Sequence, residues 1–124
     1  MKIAVIGGTG RVGSNVVRRL AAQGHDAVPA APDTGVDTIS GEGVADVMVG
    51  ADVVVDVSNA PVWDDEAVRE FFTTSTRNLL AAERDAGVRH HLAVSIVGAD
   101  RLPDSGYLRA KVAQEAEVEA GPVP

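Results

Sequence analysis

The chain places its single tyrosine, Tyr107, four residues before Lys111, one of only two lysines in 124 residues. Side chains four apart on a helix share a face, so the phenol and the ammonium can point into one cleft. An ammonium beside a phenol favours the phenolate and draws the tyrosine pKa below its usual value of about 10, which suits a general acid or base at ordinary pH. The same spacing also fits a half-buried aromatic with a solvated neighbour on an amphipathic helix. Nine of the eleven basic residues are arginine, so a lysine at this position departs from the chain's habit. At the other end, "IGGTGRVGS" carries Gly7, Gly10 and Gly13. Gly7 can turn the chain out of a strand, Gly10 can let backbone approach a pyrophosphate, and Gly13 can let a helix pack closely on a sheet. The helix N-terminus would then offer free N–H groups to the phosphates. Glycine is abundant here, with 13 residues, so the motif draws its weight from its context.

That context is strand, loop, helix. Lys2 to Ile6 is a short apolar run suited to a strand buried on both faces. Val12, Val16, Val17 and Leu20 recur at helical spacing, Arg18 and Arg19 face away, and Gly24 supplies a stop. His25 to Ala31 reads as a second strand, made short or placed at an edge by Pro29 and Pro32. Asp33 to Gly43 reads as loop, with room for a very short strand at Val36 to Thr38 and a small helix after it. Ala51 to Val57 ("ADVVVDV") is the clearest strand, followed by a loop from Ser58. Asp64 and Asp65 open a helix whose face is Val68, Phe71, Phe72, Ser75, Leu79 and Ala82, running to about Ala86 and stopping at Gly87. Leu92 to Val97 is a further buried strand, and a last helix is expected from about Ser105 to Glu119. Strands alternating with helices in this way specify an α/β fold, a doubly wound parallel sheet of Rossmann-like type, in one domain over residues 1–124. The final "GPVP" reads as a connection toward another strand, so the last strand or strands are expected to be lacking.

Composition narrows the functions. Apolar residues make up 45%, charged residues 23% and aromatics 3%, a balance that excludes disorder and fibre. A net charge of -7 argues against nucleic acid and anionic membrane surfaces as partners. No cysteine is present, which removes disulfides, thiolate metal sites and cysteine nucleophiles. "MKIAVIGG" is too short an apolar run for a signal peptide, and Val44 to Val57 is broken by Asp46, Asp52 and Asp56. A cytoplasmic protein is the expectation. His90-His91 have no partner at ligand spacing and are read as structural, and Asp64-Asp65-Glu66 as complementing a helix N-terminus, so no metal is expected.

Gly7 to Gly13, "GHD" at Gly24 to Asp26, "ADVVVDVSNAP" at Ala51 to Pro61, "TRNLLAAERDAGV" at Thr76 to Val88 and "GYLRAK" together resemble the short-chain dehydrogenase/reductase superfamily. Within it they look most like the atypical or extended branch with the NmrA-like NAD(P)-binding proteins. The resemblance covers the whole chain and implies that Gly7, Thr9, Gly10, Arg11, Val12 and Gly13 hold a dinucleotide. It implies that Tyr107 and Lys111 are an acid–base pair, with Lys111 also holding the nicotinamide ribose. It places Ser95 at the substrate oxygen and Asn59, in the loop from Ser58 to Pro61, beside the cofactor. It further implies a C-terminal substrate-binding part that would follow "GPVP". The asparagine that many members carry on the middle helix would fall near Phe72, which departs from the pattern.

An acid at the end of the second strand would bind ribose hydroxyls and select NAD, while a nearby arginine would accept the phosphate of NADP. Asp33 stands at the right distance from Gly13 for that acid, but also reads as a solvated turn residue. Arg11 could meet a 2′-phosphate, so the reading leans to NADP over NAD. The implied activity is reduction of a carbonyl or oxidation of an alcohol on a small-molecule substrate. A non-catalytic dinucleotide-binding redox sensor and an inactive truncated piece are the rival readings. Self-association into a homo-oligomer through an exposed sheet edge also remains open.

Overall fold

Val, Ile and Ala fill the first strand because it is covered on both faces. In the computed structural model, which describes residues 1–59, 64–94, 106–121, 123 and 124 and omits the side chains of 106–108, β1 (Lys2–Ile6) sits inside the sheet. It pairs in parallel with β2 (Asp26–Ala30) on one side and with β3 (Val53–Asp56) on the other, and β3 pairs with β4 (His90–Ala93). The order is therefore β2-β1-β3-β4, a parallel sheet with flanking helices, as the alternation of elements implied. No residue from Ile3 to Ile6 is more than 5% exposed.

β2 is the edge that its prolines foretold. Asp26 N–H donates to the Met1 carbonyl and Gly7 N–H to that of Ala30, so alternate residues of β2 bond to β1. Pro29, between them, turns its missing donor to the open side, which blunts that edge. The helix α1 (Arg11–Ala22) lies against β1 and β2 with Val16, Val17 and Leu20 half-buried and Arg18 and Arg19 exposed.

The short strand considered at Val36 to Thr38 does not form. Asp37 spends its carboxylate on the N–H groups of Ile39, at 2.8 Å, and Ser40, at 3.2 Å, and this local bonding competes with a sheet ladder. Val36 still enters the core at 6% exposure, and the small helix α2 (Val44–Met48) follows. Asn78 donates to the carbonyls of Thr38 and Ile39, and Ser75 Oγ lies 2.8 Å from Thr38 Oγ1, so the loop is fastened to the long helix α3 (Asp65–Ala86).

α3 begins where Asp64 accepts from Ala67 N–H and ends at Gly87, whose φ of 78° closes the last turn. Val68, Phe72, Ser75 and Leu79 are buried as the periodicity requires, while Phe71 and Ala82 are half-buried. Thr76, Leu80 and Glu83 are buried in addition, because α3 is pressed by the sheet and also by α4 (Gly106–Ala120). β4 starts at His90, two residues before its expected start, since Arg89 N–H bonds to Asp52 O and sets Val53 opposite His90. Residues 95–97 of the expected strand lie outside the described residues, as does Ser105. Among the described residues no helix is long and apolar enough to cross a membrane.

His91 is buried, as a structural role requires, and it has a partner that its sequence neighbourhood did not reveal. Its Nδ1 lies 2.7 and 2.9 Å from the two carboxyl oxygens of Glu83, with both side chains fully buried. Burial raises the Glu83 pKa, and the hydrogen bond from His91 opposes that rise. Its backbone N–H also donates to the carbonyl of Pro124, and Val123 packs into the core beside it. Breaking a buried pair is costly while replacing both partners is not. Glu83→Leu is therefore expected to lower the unfolding free energy by about 3 kcal/mol, and adding His91→Leu to restore most of it, read by urea denaturation. Equal losses in the single and double variants would show that the two side chains are not coupled.

Candidate functional site

β1 leaves the sheet at Gly7, whose φ of 81° is one that only glycine adopts without strain. A Cβ there would meet Ser58 Cα at 2.8 Å. A Cβ on Gly13 would stand 1.9 Å from the Gly7 carbonyl oxygen, so the first turn of α1 rests directly on the turn out of β1. Gly10 is different: its nearest obstacle would be the same oxygen at 3.4 Å, an ordinary contact. Gly10 caps α1 without any side-chain hydrogen bond, and the first turn carries no acid. The first-turn N–H groups and their partial positive charge are thus left to whatever lies in front of them.

In front of them is a cavity of about 610 Å³ at the C-terminal ends of β1, β2 and β3. This is the crevice where ligands bind in open parallel sheets, and the volume falls in the range of small-molecule sites. Gly7, Thr9, Gly10, Arg11, Val12, Gly13 and Asn59 all line it. Val12 is 57% exposed, facing this space rather than the core. Arg11 has no ion-pair partner among the described residues, whereas Asp33 accepts from Thr9 Oγ1 at 2.9 Å and does not line the cavity. Asp33 is therefore exposed but tied to the glycine loop.

The wall opposite α1 is made by Asp37, Ile39, Ser58 and Phe71; Ser58 opens the loop already expected there, while the motifs did not single out the other three. A signal existed for Asp37, because an aspartate followed two and three residues later by free N–H groups in a glycine-rich stretch forms an Asx turn. Those N–H bonds hold its carboxyl below the usual aspartate range, so it faces the cavity charged. Phe71 follows the core periodicity of α3, and its ring meets that of Phe72 edge-on at 5.4 Å, while the residue also lines the cavity.

The acid–base residues are placed less completely. Ser95 lies outside the described residues. Tyr107 sits in the first turn of α4, and its side chain is likewise outside the description. Lys111 is buried at 4% exposure and does not line the cavity. Its Nζ donates to Gln114 Oε1 at 2.5 Å and lies 4.3 Å from the centre of the Phe72 ring. Gln114 Nε2 donates to Asp56 Oδ2 at 3.2 Å, and Asp56 Oδ1 accepts from Ser58 N–H and from Ser58 Oγ. A buried polar chain thus runs from the cavity wall at Ser58 to the ammonium. Among the described residues no group of three or more side chains could hold a metal ion.

The model of the NAD dependent epimerase/dehydratase family matches residues 3–120. The photosystem II assembly factor Ycf39 of Synechocystis sp. is 29% identical over 117 residues, covering 83% of this chain and 36% of that protein. A short-chain dehydrogenase/reductase superfamily protein from Agrobacterium tumefaciens, solved with bound NAD, superposes with a TM-score of 0.82 at 24% identity, covering 99% of this chain and 47% of its own. The triphenylmethane reductase of Citrobacter sp., solved with NADP(H), gives a TM-score of 0.79 at 22% identity, covering 100% and 47%. The two structures share this chain's fold, and the chain spans about half their length.

The three glycines are expected to respond differently to alanine. Gly13→Ala drives a Cβ into backbone and should lower the unfolding free energy by about 2–3 kcal/mol or more. Gly7→Ala adds the strain of a positive φ to its clash. Gly10→Ala, at an extended φ of -76° and ψ of -179°, should leave thermal stability unchanged or slightly raised. Melting curves showing Gly10→Ala to be as damaging as Gly13→Ala would contradict this geometry.

Proposed function

The chain belongs to the NAD dependent epimerase/dehydratase family, and from that premise we propose that it is the NAD(P)-binding part of an oxidoreductase or epimerase-type enzyme. The reading assigns it a hydride transfer at a carbonyl or alcohol carbon of a small molecule. The observation that carries it is the uncapped N-terminus of α1, opening beside Gly10 into a cavity at the strand ends. The pyrophosphate would lie on the N–H groups of Arg11, Val12 and Gly13, with Thr9 beside it. The adenosine half would lie toward the end of β2, against Ala31, Pro32 and Ile39, and the nicotinamide half toward Ser58, Asn59 and Phe71.

NADP is the preferred dinucleotide in this reading. β2 ends at Ala30 and is followed by Ala31, with no carboxylate at either, Asp33 is engaged by Thr9, and Arg11 lines the cavity without an ion-pair partner among the described residues. A nicotinamide dinucleotide held by the glycine loop would supply or take the hydride. Tyr107 passes the proton at the substrate oxygen, Lys111 favours its phenolate form, and Ser95 hydrogen-bonds the same oxygen.

A second reading is favoured by one observation: the Lys111 ammonium is bonded to Gln114 behind the cavity and not within it. Under it the chain binds a dinucleotide without turning over a substrate, and the assembly-factor name of the Synechocystis relative fits that better than an enzyme name.

Parallel calorimetric titrations with NADPH and NADH test the shared premise. Saturable binding is expected, tighter for NADPH, with Arg11→Ala removing most of the difference. No binding of either form would sink both readings. Tyr107→Phe then separates them: it should reduce turnover of a carbonyl panel by about 100-fold or more while leaving dinucleotide affinity intact. Binding without any turnover, in the parent and the variant alike, would favour the non-catalytic reading.

A further inference from the structure

Two buried side chains bear on Lys111 without belonging to the acid–base set. We propose that Gln114 is the positioning residue of Lys111, its amide clamped by Asp56 so that its oxygen faces the lysine ammonium. The inference rests on the reading of Lys111 as a site residue.

The orientation of the Gln114 amide is forced by chemistry. Asp56 is 2% exposed, and as a carboxylate it can only accept hydrogen bonds. Its Oδ1 is occupied by Ser58 N–H at 3.0 Å and Ser58 Oγ at 2.5 Å, so Oδ2 is left for the Gln114 NH₂ at 3.2 Å. With its donors turned to Asp56, Gln114 presents its oxygen to the Lys111 Nζ at 2.5 Å. The flipped amide would set NH₂ against ammonium and oxygen against carboxylate, which is repulsive at both ends. On the other side of the ammonium the Phe72 ring, 4.3 Å away, offers attraction to a cation but no acceptor. Gln114 is 1% exposed and Lys111 4%, so neither contact is shared with bulk water.

This arrangement decides how the ammonium keeps its charge in a buried place. Burial draws the Lys111 pKa below the ordinary lysine value, and the negative charges of Asp56 on β3 and Glu115 on its own helix oppose that fall. Gln114 accepts a hydrogen bond that is stronger from the ammonium than from the neutral amine, and so favours the charged form. A residue of the same size without the acceptor would leave the buried ammonium, among the described residues, with the Phe72 ring and would take the Gln114 donor away from Asp56 Oδ2.

The chain has only Lys2 and Lys111, so lysine labelled at Cε and Nζ gives two NMR signals, assigned with Lys2→Arg. The titration is followed without dinucleotide in the parent chain, Gln114→Leu and Gln114→Glu. In Gln114→Leu the Lys111 midpoint is expected to fall by about one unit or more, the worth of a hydrogen bond to a charged group. In Gln114→Glu the midpoint is expected to rise above that of the parent. A Lys111 midpoint that moves in neither variant overturns the proposal, and if Gln114→Leu does not fold, Gln114→Glu decides it alone. Because no cofactor is present, failure here is separate from failure of NADPH and NADH to bind.

Discussion

A helix can aim its N-terminus at the end of a sheet only if its first turn comes closer to the strand exit than a side chain would permit. Here the Gly7 carbonyl oxygen occupies the place where a Cβ of residue 13 would stand, and Gly7 itself turns tightly against the backbone of Ser58. Two glycines thus bring β1, α1 and the exit of β3 into contact at one point. The cavity opens just beyond it, and every wall is positioned from there. Gly10, which caps α1, is not part of this contact: a Cβ there would meet the Gly7 carbonyl oxygen only at 3.4 Å.

The part of the far wall that carries Asp37 and Ile39 has no regular secondary structure, and it needs other means to hold its shape. Asp37 folds the chain onto itself through the N–H groups of Ile39 and Ser40, and Asn78 grips the carbonyls of Thr38 and Ile39 from α3. Each bond contributes only about 1 kcal/mol net, but together they replace a strand ladder that the loop does not form. Val36 and Thr38 are buried while Asp37 and Ile39 are exposed, so alternation survives in the side chains even though the pairing is gone. That explains how a segment patterned weakly like a strand becomes a wall of fixed turns.

Local patterning made the strands, the three longer elements of helix and the glycine loop legible in the sequence. Periodicity in α1 and α3, glycine at 87 and proline at 29 each report on one element and its immediate surroundings, and each element stands where that information put it. What escaped was set by contacts distant in sequence. The start of β4 depends on Asp52 O, the burial of Glu83 on His91, and the cavity role of Phe71 on a loop more than thirty residues earlier. No periodicity in α3 distinguishes a glutamate facing water from one facing a histidine. The partners of Lys111 escaped for the same reason: its spacing from Tyr107 places it on a helix face, but Asp56 and Gln114 determine what that face meets.

Asp56 is the residue through which the cavity and the last helix share a charge. Its strand ends at the crevice, so one carboxyl oxygen is naturally spent on the turn at Ser58, which lines the cavity. The other oxygen reaches across to α4 through Gln114. A carboxylate buried at 2% exposure needs both sets of donors, since leaving either side empty would cost about 1–3 kcal/mol or more. Whatever shifts Ser58 therefore bears on Gln114, and whatever draws Lys111 away from Gln114 bears on the cavity wall. The Glu83–His91 pair instead binds α3 to the neighbouring strand β4, and neither of its residues lines the cavity at the strand ends. Two buried polar systems stand side by side in this sheet. In the Glu83–His91 pair, His91 Nε2 has no hydrogen-bond partner among the described residues, while the Asp56 system is completed at Ser58, which lines the cavity, and so links the cavity wall to the ammonium of Lys111.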